Sequence, residues 1–200
     1  MITLKNVTLV ALTGIGYKTD EHVEAIRKSC EGIDFGEIKL IQLGSIKDID
    51  TWNYATIYEL PKYITTDYCI FIHADGYIIN SELWNNDWLS WDYIGSPWPL
   101  PLDDFSYRDE IGRMQRVGNS VSLRSKKLLD LVAQTPKEYF WSFKEKYGNT
   151  NEDGYICCHN RVWLEKQGCK FAPISVAKYF SKEHEIPENK NIKTFCFHSI

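Results

Sequence analysis

The hydrophobic pattern of the first forty residues predicts a β-α-β unit. An apolar, β-branched run from Val7 to Leu12 predicts one strand, and Glu37 to Leu43 predicts a second. Between them, Thr19 or Asp20 is a suitable N-cap for a helix that is stopped by Gly32. The apolar residues expected on its buried face are Val23, Ile26 and Cys30. Because two strands joined by one helix normally run parallel, the chain is expected to open with the start of a parallel sheet.

The strongest strand signal lies at Tyr68 to Ile72, an apolar and aromatic run that ends abruptly in His73-Ala74-Asp75-Gly76. This pattern is typical of a buried strand that delivers polar residues to its carboxyl end, the edge at which open α/β sheets bind ligands. A Trp-rich helix is predicted from Ser81 to Trp91, and a short strand around Asp92 to Gly95 follows it. We therefore expect a metal-capable carboxylate and a group of indoles to face one crevice.

The remaining pattern predicts further alternation of helices and strands. In chain order, the predicted elements are a helix from Thr51 to Leu60, a long loop from Pro99 to Gln115, a strand from Val117 to Arg124, a helix capped by Ser125, a helix capped by Asn151 and stopped by Gly168, a strand and turn from Lys170 to Phe180, and a last strand from Lys193 to His198. A loop as long as the predicted one is usually a lid, a binding loop or disordered. The whole predicts an α/β fold with a central, mostly parallel sheet in a single domain.

Composition narrows the class of protein. A chain of 200 residues with 44% apolar content is long enough for one full core. The net charge of −4 argues against a surface that binds nucleic acid, since such surfaces concentrate Lys and Arg. No basic leader or run of eighteen apolar residues is found, so a soluble, cytoplasmic protein is expected. The six cysteines show no C-x-x-C pair and are expected to be free thiols.

Asp75 is the first candidate for chemistry. A hard divalent cation bound to a diphosphate needs only one or two protein carboxylates, and Gly76 lets a ligand approach the backbone closely. The alternative is that Asp75-Gly76 only forms a turn between strands. His198 becomes a second ligand if the last strand returns to the same crevice, because one oxygen and one imidazole suit manganese. A histidine near a chain end is also commonly an ordinary surface residue.

Adjacent acids at Glu152 and Asp153 are the candidates for catalysis. The N-terminus of a helix stabilises both as anions, which is a complete structural explanation of the pair. The functional interpretation is that one of them takes the proton from an acceptor hydroxyl. The two interpretations are compatible.

Two further groups of residues suit a phosphorylated sugar. The turn Gly118-Asn119-Ser120 lets the chain pass close to sugar hydroxyls and a phosphate, although turn chemistry alone also selects Gly-Asn. Arginines suit planar, bidentate contacts with a diphosphate. The arginines considered are Arg108, Arg113, Arg116 and Arg124.

Taken together, these motifs resemble a poorly characterised family of GT-A-like glycosyltransferase domains, over about two thirds of the chain. The family's strand ending in Q-x-D is similar to His73-Ala74-Asp75, its D-Y-I-G-A-P-W to Asp92–Trp98, and its G-N-G-G-F-S-L-R to Gly118–Arg124. Its E-D pair is similar to Glu152-Asp153 and its closing F-x-F/G-x-H to Phe195–His198. The motif F-A-P…A-x-x-F-S-x-E is matched by Phe171, Ala172, Pro173, Ala177, Phe180, Ser181 and Glu183.

The resemblance implies a GT-A-like, Rossmann-like β/α/β sandwich in one domain. Its nucleotide-binding half would cover about residues 1–98 and its acceptor-binding half about 99–200. Mn²⁺ or Mg²⁺ would be held by Asp75 and His198, Asp153 would be the acceptor-activating base, and Glu152 would assist acceptor binding. The residues implied to bind the nucleotide sugar are Thr13, Gly14, His73, Asp75, Gly76, Trp98, Gly118, Asn119 and Ser120.

The sequence therefore predicts a hexosyltransferase that moves a sugar from a nucleotide diphosphate sugar, with UDP favoured, to a hydroxyl of a glycan or glycoconjugate. A single base opposite the leaving group predicts inversion at the anomeric carbon. Two alternatives remain open at this stage. One is a non-catalytic glycan- or nucleotide-binding module that uses the Trp-rich segment, and the other is a nucleotidyltransferase, which would need a basic, Gly-rich triphosphate cradle.

Overall fold

Among the residues that the structure describes, five strands form a central sheet in the spatial order β2 (Ile33–Leu43), β1 (Ile2–Gly14), β3 (Tyr68–Ile72), β5 (Val117–Ser125) and β4 (Tyr93–Pro97). The structure is a computed structural model that describes residues 1–103, 107–147 and 151–199. Strand β1 pairs in parallel with both β2 and β3, whereas β5 pairs antiparallel with β3 and with β4. Four of the five strands therefore point the same way, and the predicted α/β fold with a mostly parallel sheet is confirmed.

Strands and helices alternate along the chain up to residue 72, and helices follow one another between residues 126 and 180. The strands are β1 (Ile2–Gly14), β2 (Ile33–Leu43), β3 (Tyr68–Ile72), β4 (Tyr93–Pro97), β5 (Val117–Ser125), β6 (Ser181–Lys182) and β7 (Cys196–Phe197). The helices are α1 (Thr19–Ser29), α2 (Ile49–Tyr58), α3 (Lys126–Val132), α4 (Lys137–Tyr147), α5 (Glu152–Gly154), α6 (Arg161–Lys166) and α7 (Ile174–Phe180). Short 3₁₀ turns occupy Leu60–Tyr63, Ser81–Leu83 and Asn86–Ser90, and a π-helical turn occupies Tyr155–His159.

The predicted β-α-β unit is present, but helix α1 differs in detail from the prediction. Its N-cap is Lys18, which has a left-handed backbone (φ 46°) and provides no side-chain cap. The helix buries His22, Ala25 and Ser29, while Val23 is exposed. The reason is that His22 and Ser29 have internal partners, the Lys18 carbonyl and the Ile78 amide, so that polarity does not keep them at the surface.

The Trp-rich segment is not the predicted helix. It forms two 3₁₀ turns, and Trp88 is buried in the core, where its ring packs against Phe180 and Phe195 with centroids 5.2 and 5.4 Å away. Trp84 packs edge-on against Trp88 in the same cluster. The spacing of these indoles reflects core packing, and the expected group of indoles at the crevice of Asp75 is wrong.

Strands β4 and β5 approach each other unusually closely. A Cβ atom on Gly95 would lie 1.6 Å from the carbonyl oxygen of Gly118, and one on Gly118 would lie 1.8 Å from Cζ2 of Trp98. Both positions therefore need glycine for space. This contact fixes the position of the first residues of β5, including that of Asn119, which follows Gly118.

The predicted helix between Asn151 and Gly168 is present but interrupted. The π-helical turn lies between α5 and α6, an irregularity that is frequent at functional sites. Ser125 caps α3 as expected, by accepting from the amide of Leu128. Asn151 makes no side-chain cap for α5; the first amide of that helix, that of Glu152, is instead satisfied by Oδ1 of Asn53 from α2.

The C-terminal part of the chain returns to the centre of the molecule. Residues 174–180 form helix α7, so the predicted strand at Lys170 to Phe180 is wrong except for a bridge at Phe171. The last strand is shorter than predicted and pairs with β6. The amide of Phe197 donates to the carbonyl of Tyr77, and that of Ser199 donates to the carbonyl of Asp75. These bonds bring the chain end alongside the turn that follows β3.

Part of the predicted loop from Pro99 to Gln115, at residues 104–106, lies outside the described residues. Within the described part, Arg108 pairs with Met114 in an isolated bridge, and the buried carboxylate of Asp109 accepts from Arg113 and Gln115. All six cysteines are free, as predicted. Among the described residues, no helix combines the length and the apolar character needed to cross a bilayer.

Candidate active site

A cleft of about 750 Å³ opens at the carboxyl ends of β1 and β3. It is lined by the end of β1, the turn after β3, the start of α5, the first residues of β5 and the chain end. Of the residues implied to bind the nucleotide sugar, six line the cleft: Thr13, Gly14, His73, Asp75, Asn119 and Ser120. Glu152, Asp153 and His198 line it as well. The fold thus brings most of the candidate residues to one place.

Asp75 and His198 lie side by side in this cleft. Oδ1 of Asp75 is 3.7 Å from Nε2 of His198, and one nitrogen of His73 joins them so that three potential ligand atoms lie within 4.8 Å of one another. Asp75 does sit in a turn, since the amide of His73 donates to the carbonyl of Gly76. Its carboxylate is nevertheless half-exposed to the cleft, so the turn and the ligand interpretations of Asp75 are both compatible with the structure.

Glu183 orients the imidazole of His198. Its Oε1 lies 3.2 Å from Nδ1 of His198, and Nδ2 of Asn119 lies 3.1 Å from the same nitrogen. Because a carboxylate only accepts, the bond to Glu183 places the ring proton on Nδ1 and leaves Nε2 to face Asp75. The side-chain nitrogen of Asn119 also only donates, and it then donates to Glu183 and not to the ring. Burial lowers the pKa of His198, but the hydrogen bond and the charge of Glu183 outweigh it, so that the pKa is raised.

His73 is held by aromatic rings. Its imidazole packs edge-on against Trp52, Phe71 and His198, with ring centroids 5.2, 5.3 and 5.0 Å away. Its Nε2 is buried and has no hydrogen-bond partner among the described residues. Burial, followed by the charges of His198 and Arg124, lowers the pKa of His73 well below its usual value. The ring is therefore neutral, with a nitrogen lone pair available.

Asp153 is a buried acid with an unusual affinity for its proton. Oδ2 accepts from the amide of Asn119 at 3.0 Å, and Oδ1 accepts from the amide of Gly154 at 2.8 Å. Burial and then the neighbouring charge of Glu152 raise the pKa of Asp153 to about 7, against these two hydrogen bonds. A carboxyl group with such a pKa is suited to accept and release a proton near neutral pH.

Glu152 lines the cleft and is paired with Arg124. Its Oε1 accepts from the guanidinium of Arg124 at 2.7 Å, and both side chains are almost completely buried. The guanidinium also lies over the ring of Phe71, 5.0 Å from its centroid. A buried pair of this kind holds β5 and α5 together, and it fixes the backbone on which Asp153 is carried.

Asn119 connects the two parts of the site. Its backbone is left-handed (φ 79°), a conformation that Asn tolerates better than most residues. Its amide binds Asp153, its side-chain nitrogen approaches His198, and its Oδ1 accepts from the amide of Val121. The hydroxyl of Tyr93 donates to its carbonyl. Asn119 therefore sets the position of the acid relative to His198.

Three residues implied to bind the donor lie outside the lining of the cleft. Trp98 is buried and stacks on Tyr107, and Gly118 packs under the indole of Trp98. Gly76 packs against Val121 and His198 behind the cleft. These three residues therefore pack against neighbours of the cleft and do not line it.

The arginines considered for a diphosphate are engaged elsewhere. Arg124 pairs with Glu152, Arg113 with Asp109 and Glu165, and Arg116 with Glu188, while Arg108 donates to the carbonyl of Gly112. The basic residues that line the cleft are instead Lys18 and Lys47, together with the histidines His22, His73 and His198. Both lysines lie in short polar loops, Lys18 after β1 and Lys47 after β2. The sequence analysis considers only arginines for this role and therefore does not include them.

Glu183 is a residue of the site that the sequence analysis does not single out, since it appears there only as the last residue of a motif. The one signal for Glu183 is its place in S-x-E directly after a helix, and nothing in the local pattern pairs it with a histidine fifteen residues later.

The fold and the cleft together define a GT-A-like α/β protein. A glycosyltransferase involved in the glycosylation of the major capsid of PBCV-1 has a similar structure, with a TM-score of 0.56, 11% identity, and coverage of 96% of this chain and 91% of that chain. An active-site mutant of LgtC is also similar, with a TM-score of 0.52, 16% identity, and coverage of 96% and 86%. Identities this low establish the shared fold alone.

The sequence itself places the chain in a family. Residues 50–198 match the family described as "Protein of unknown function (DUF5672)", and the chain belongs to this family. The matched range begins in α2 and ends at His198, so it includes the whole cluster of His73, Asp75 and His198. A comparison with curated protein sequences gives no match.

Proposed function

We propose that this protein is a glycosyltransferase that moves a sugar from a nucleotide diphosphate sugar to a hydroxyl of a glycan or glycoconjugate. The observation that carries the proposal is one cleft that combines the cluster of His73, Asp75 and His198 with the acid Asp153, whose pKa is raised to about 7. The GT-A-like fold supports it. A UDP-sugar is the favoured donor.

The residues of the cluster fit a divalent cation, and Mn²⁺ accepts both the imidazole and the carboxylate ligands that they offer. Two imidazoles and a carboxylate are suitable ligands, and the buried Nε2 of His73 lacks another partner among the described residues. Such a cation, when bound, neutralises a diphosphate leaving group. In the proposed arrangement, Lys18 and Lys47 add positive charge beside the phosphates, and Thr13 and Gly14 contact the nucleotide at the end of β1.

Asp153 is the proposed base. Its carboxylate takes the proton from the acceptor hydroxyl as that oxygen attacks the anomeric carbon and the diphosphate leaves. The buried charge of Glu152 keeps the pKa of Asp153 high enough for this role. Glu152 itself is bound by Arg124, so we assign it to positioning and no longer to the acceptor. A single base opposite the leaving group predicts inversion, and a product with retained configuration would contradict this assignment.

The nucleotide-binding half is proposed to be about residues 1–98 and the acceptor-binding half about 99–200. Residues of both ranges line the cleft. The first range contributes the end of β1 and the turn after β3, and the second contributes residues 119–120, 151–153 and 198. We place the donor against the first range and the acceptor near Asp153.

The proposal is tested by nucleotide binding with and without metal. Thermal shift and calorimetry with UDP, GDP, CMP and their sugar conjugates should show stabilisation by one nucleotide only when a divalent cation is present. At a ligand concentration 100-fold above Kd, the expected stabilisation is about 2.7 kcal/mol. Asp75→Asn should abolish it, because the amide oxygen is a much weaker ligand than the carboxylate.

The matched control is Asp130→Asn, which removes the carboxylate of an exposed pair with Lys126 away from the cleft. It should leave metal-dependent binding unchanged. If no nucleotide binds but oligosaccharides do, the transferase proposal fails. The smaller cavity of about 350 Å³, lined by Trp88, Trp91 and Tyr179, then becomes the place to look for a glycan-binding module.

A further inference from the structure

We propose that His73 is a third protein ligand of the cation, and that the resulting set of two imidazoles and one carboxylate binds Mn²⁺ and Co²⁺ in strong preference to Mg²⁺. The assignment of the cation to a donor diphosphate rests on the proposed function. The ligand set and its selectivity do not, because they are properties of the protein without nucleotide.

The distances suit a shared ion. Ligand atoms that each lie about 2.1 Å from one ion are roughly 3 to 4 Å from one another. Nε2 of His198 and Oδ1 of Asp75 are 3.7 Å apart, and the cluster of three has no separation above 4.8 Å. The side chain of Asp75 is half-exposed and free of the core packing that holds the two imidazoles, so it is the ligand that adjusts to a shared ion.

His73 has a nitrogen without a hydrogen-bond partner. Nε2 is buried, and no partner for it exists among the described residues. Buried polar atoms in proteins nearly always have a partner, so an orphaned one on a residue that lines the cleft calls for an explanation. The surrounding rings of Trp52, Phe71 and His198 fix the imidazole and offer it no acceptor or donor of their own at that atom.

The surroundings of His198 complete the site. A carboxylate that accepts from the second ring nitrogen of a metal-bound histidine fixes the ring and increases its basicity. Glu183 stands in this position, 3.2 Å from Nδ1. With Asp75 as ligand and Glu183 behind His198, two carboxylates face two imidazoles, and their charge balances that of a divalent ion.

The donor set decides the selectivity. Mg²⁺ requires oxygen ligands and gives up its water reluctantly, so two imidazoles offer it little. Affinity of nitrogen-containing sites rises from Mn²⁺ to Co²⁺ and beyond. An imidazole at position 73 therefore lowers the affinity of the site for Mg²⁺ relative to Mn²⁺. A carboxylate at this position would raise the relative affinity for Mg²⁺ again.

The test is metal binding by the protein in the absence of nucleotide. Electron spin-echo spectroscopy of bound Mn²⁺ should detect two histidine nitrogens in the wild type and one in His73→Gln. Calorimetry should show at least about a 10-fold loss of Mn²⁺ affinity in His73→Gln, which is the lower end of the cost of losing even a supporting partner. Co²⁺ should bind more tightly than Mn²⁺, and Mg²⁺ should bind much more weakly than either.

Two further variants keep the test decisive. His159→Gln changes a histidine that does not line the cleft and should leave the nitrogen count and affinities unchanged. His73→Asp should narrow the ratio of Mn²⁺ to Mg²⁺ affinity by at least about 10-fold, because it replaces a nitrogen ligand with an oxygen. Circular dichroism checks that each variant is folded, and the nitrogen count of the wild type is independent of all of them.

The outcomes separate this inference from the proposed function. One coordinated nitrogen in the wild type, or equal affinities for Mn²⁺ and Mg²⁺, overturns the inference even if UDP binds. Two nitrogens with the expected selectivity but no nucleotide binding to the loaded protein support the inference and contradict the glycosyltransferase.

Discussion

At the scale of single residues, Asp153 shows how the environment sets chemistry. The carboxyl group is buried beside the charge of Glu152, and its two backbone hydrogen bonds are too few to hold the pKa at its usual value. An ordinary surface aspartate is ionised well below neutral pH and is a weak base. Burial makes this one a stronger base at the pH at which it would operate.

We expect the rate to follow the ionisation of Asp153. At saturating donor and metal, kcat/KM for the acceptor should rise with pH, reach half of its maximum near pH 7 and level off above that value, because only the ionised carboxylate accepts a proton. Asp153→Asn should lower kcat by roughly 10²- to 10⁴-fold and leave donor affinity unchanged. Steady-state kinetics from pH 5 to 9 measure both. A variant that retains the wild-type rate and profile would remove Asp153 from the mechanism.

The raised pKa of Asp153 also makes the free energy of unfolding depend on pH. The folded state keeps the proton of Asp153 up to about pH 7, whereas the unfolded state releases it near pH 4. The contribution of Asp153 to folding stability is therefore fully present below about pH 4 and is lost as the pH rises from about 4 to about 7. The loss amounts to about 4 kcal/mol for a shift of this size. Asp153→Asn has no such loss.

The measurement is urea unfolding of the metal-free protein and of Asp153→Asn between pH 4 and pH 8. The free energy of unfolding of the variant, relative to that of the wild type, should increase by several kcal/mol across this range. Contributions of titrating groups that do not interact with Asp153 cancel in the difference. A difference that stays constant with pH would show that Asp153 has an ordinary pKa.

At the scale of elements, the contact between β4 and β5 supports the site. Gly118 lies under Trp98 and directly precedes Asn119, which positions both Asp153 and His198. Packing at this point is therefore connected to the geometry of the cleft through one peptide.

Gly118→Ala should destabilise the protein by about 1 to 3 kcal/mol, because the new methyl group overlaps the indole of Trp98. Gly154→Ala is the matched control, since nothing lies within 4 Å of its added methyl group and its backbone is helical. The control should be neutral or more stable by roughly 0.5 to 1 kcal/mol. Thermal unfolding of the two variants gives the comparison, and equal effects would mean that β4 and β5 are not packed as described.

At the scale of the whole molecule, the two proposed halves share one sheet and one core. Strand β3 lies between β1 on one side and β5 on the other, and one buried cluster includes Ile70, Leu123 and Phe195. Neither half buries this surface alone.

The chain should therefore unfold in one cooperative transition. Far-ultraviolet circular dichroism and tryptophan fluorescence should give the same midpoint, as expected when no intermediate is populated. The tryptophans are distributed from Trp52 to Trp163, so fluorescence reports on both ranges. Two separate transitions would show that residues 1–98 and 99–200 are independent domains.

The sequence by itself determined the five strands of the central sheet, the β-α-β start and the polar ends of β1 and β3. These features are local, since the period of apolar residues and the position of glycines fix the type of an element and its end. The same information was insufficient for residues 81–91 and 170–180, where aromatic spacing suited more than one backbone. Contacts with Phe180 and Phe195 decided the structure of the Trp-rich segment.

Only the tertiary structure decided which polar residues meet. His198 lies beside Asp75 because the chain end pairs with residues 75–78, and Glu183 reaches His198 because β6 pairs with β7. Arg124 binds Glu152 because β5 enters the middle of the sheet. Such contacts depend on strand order and on the return of distant segments, and no periodicity within a short stretch of sequence records them.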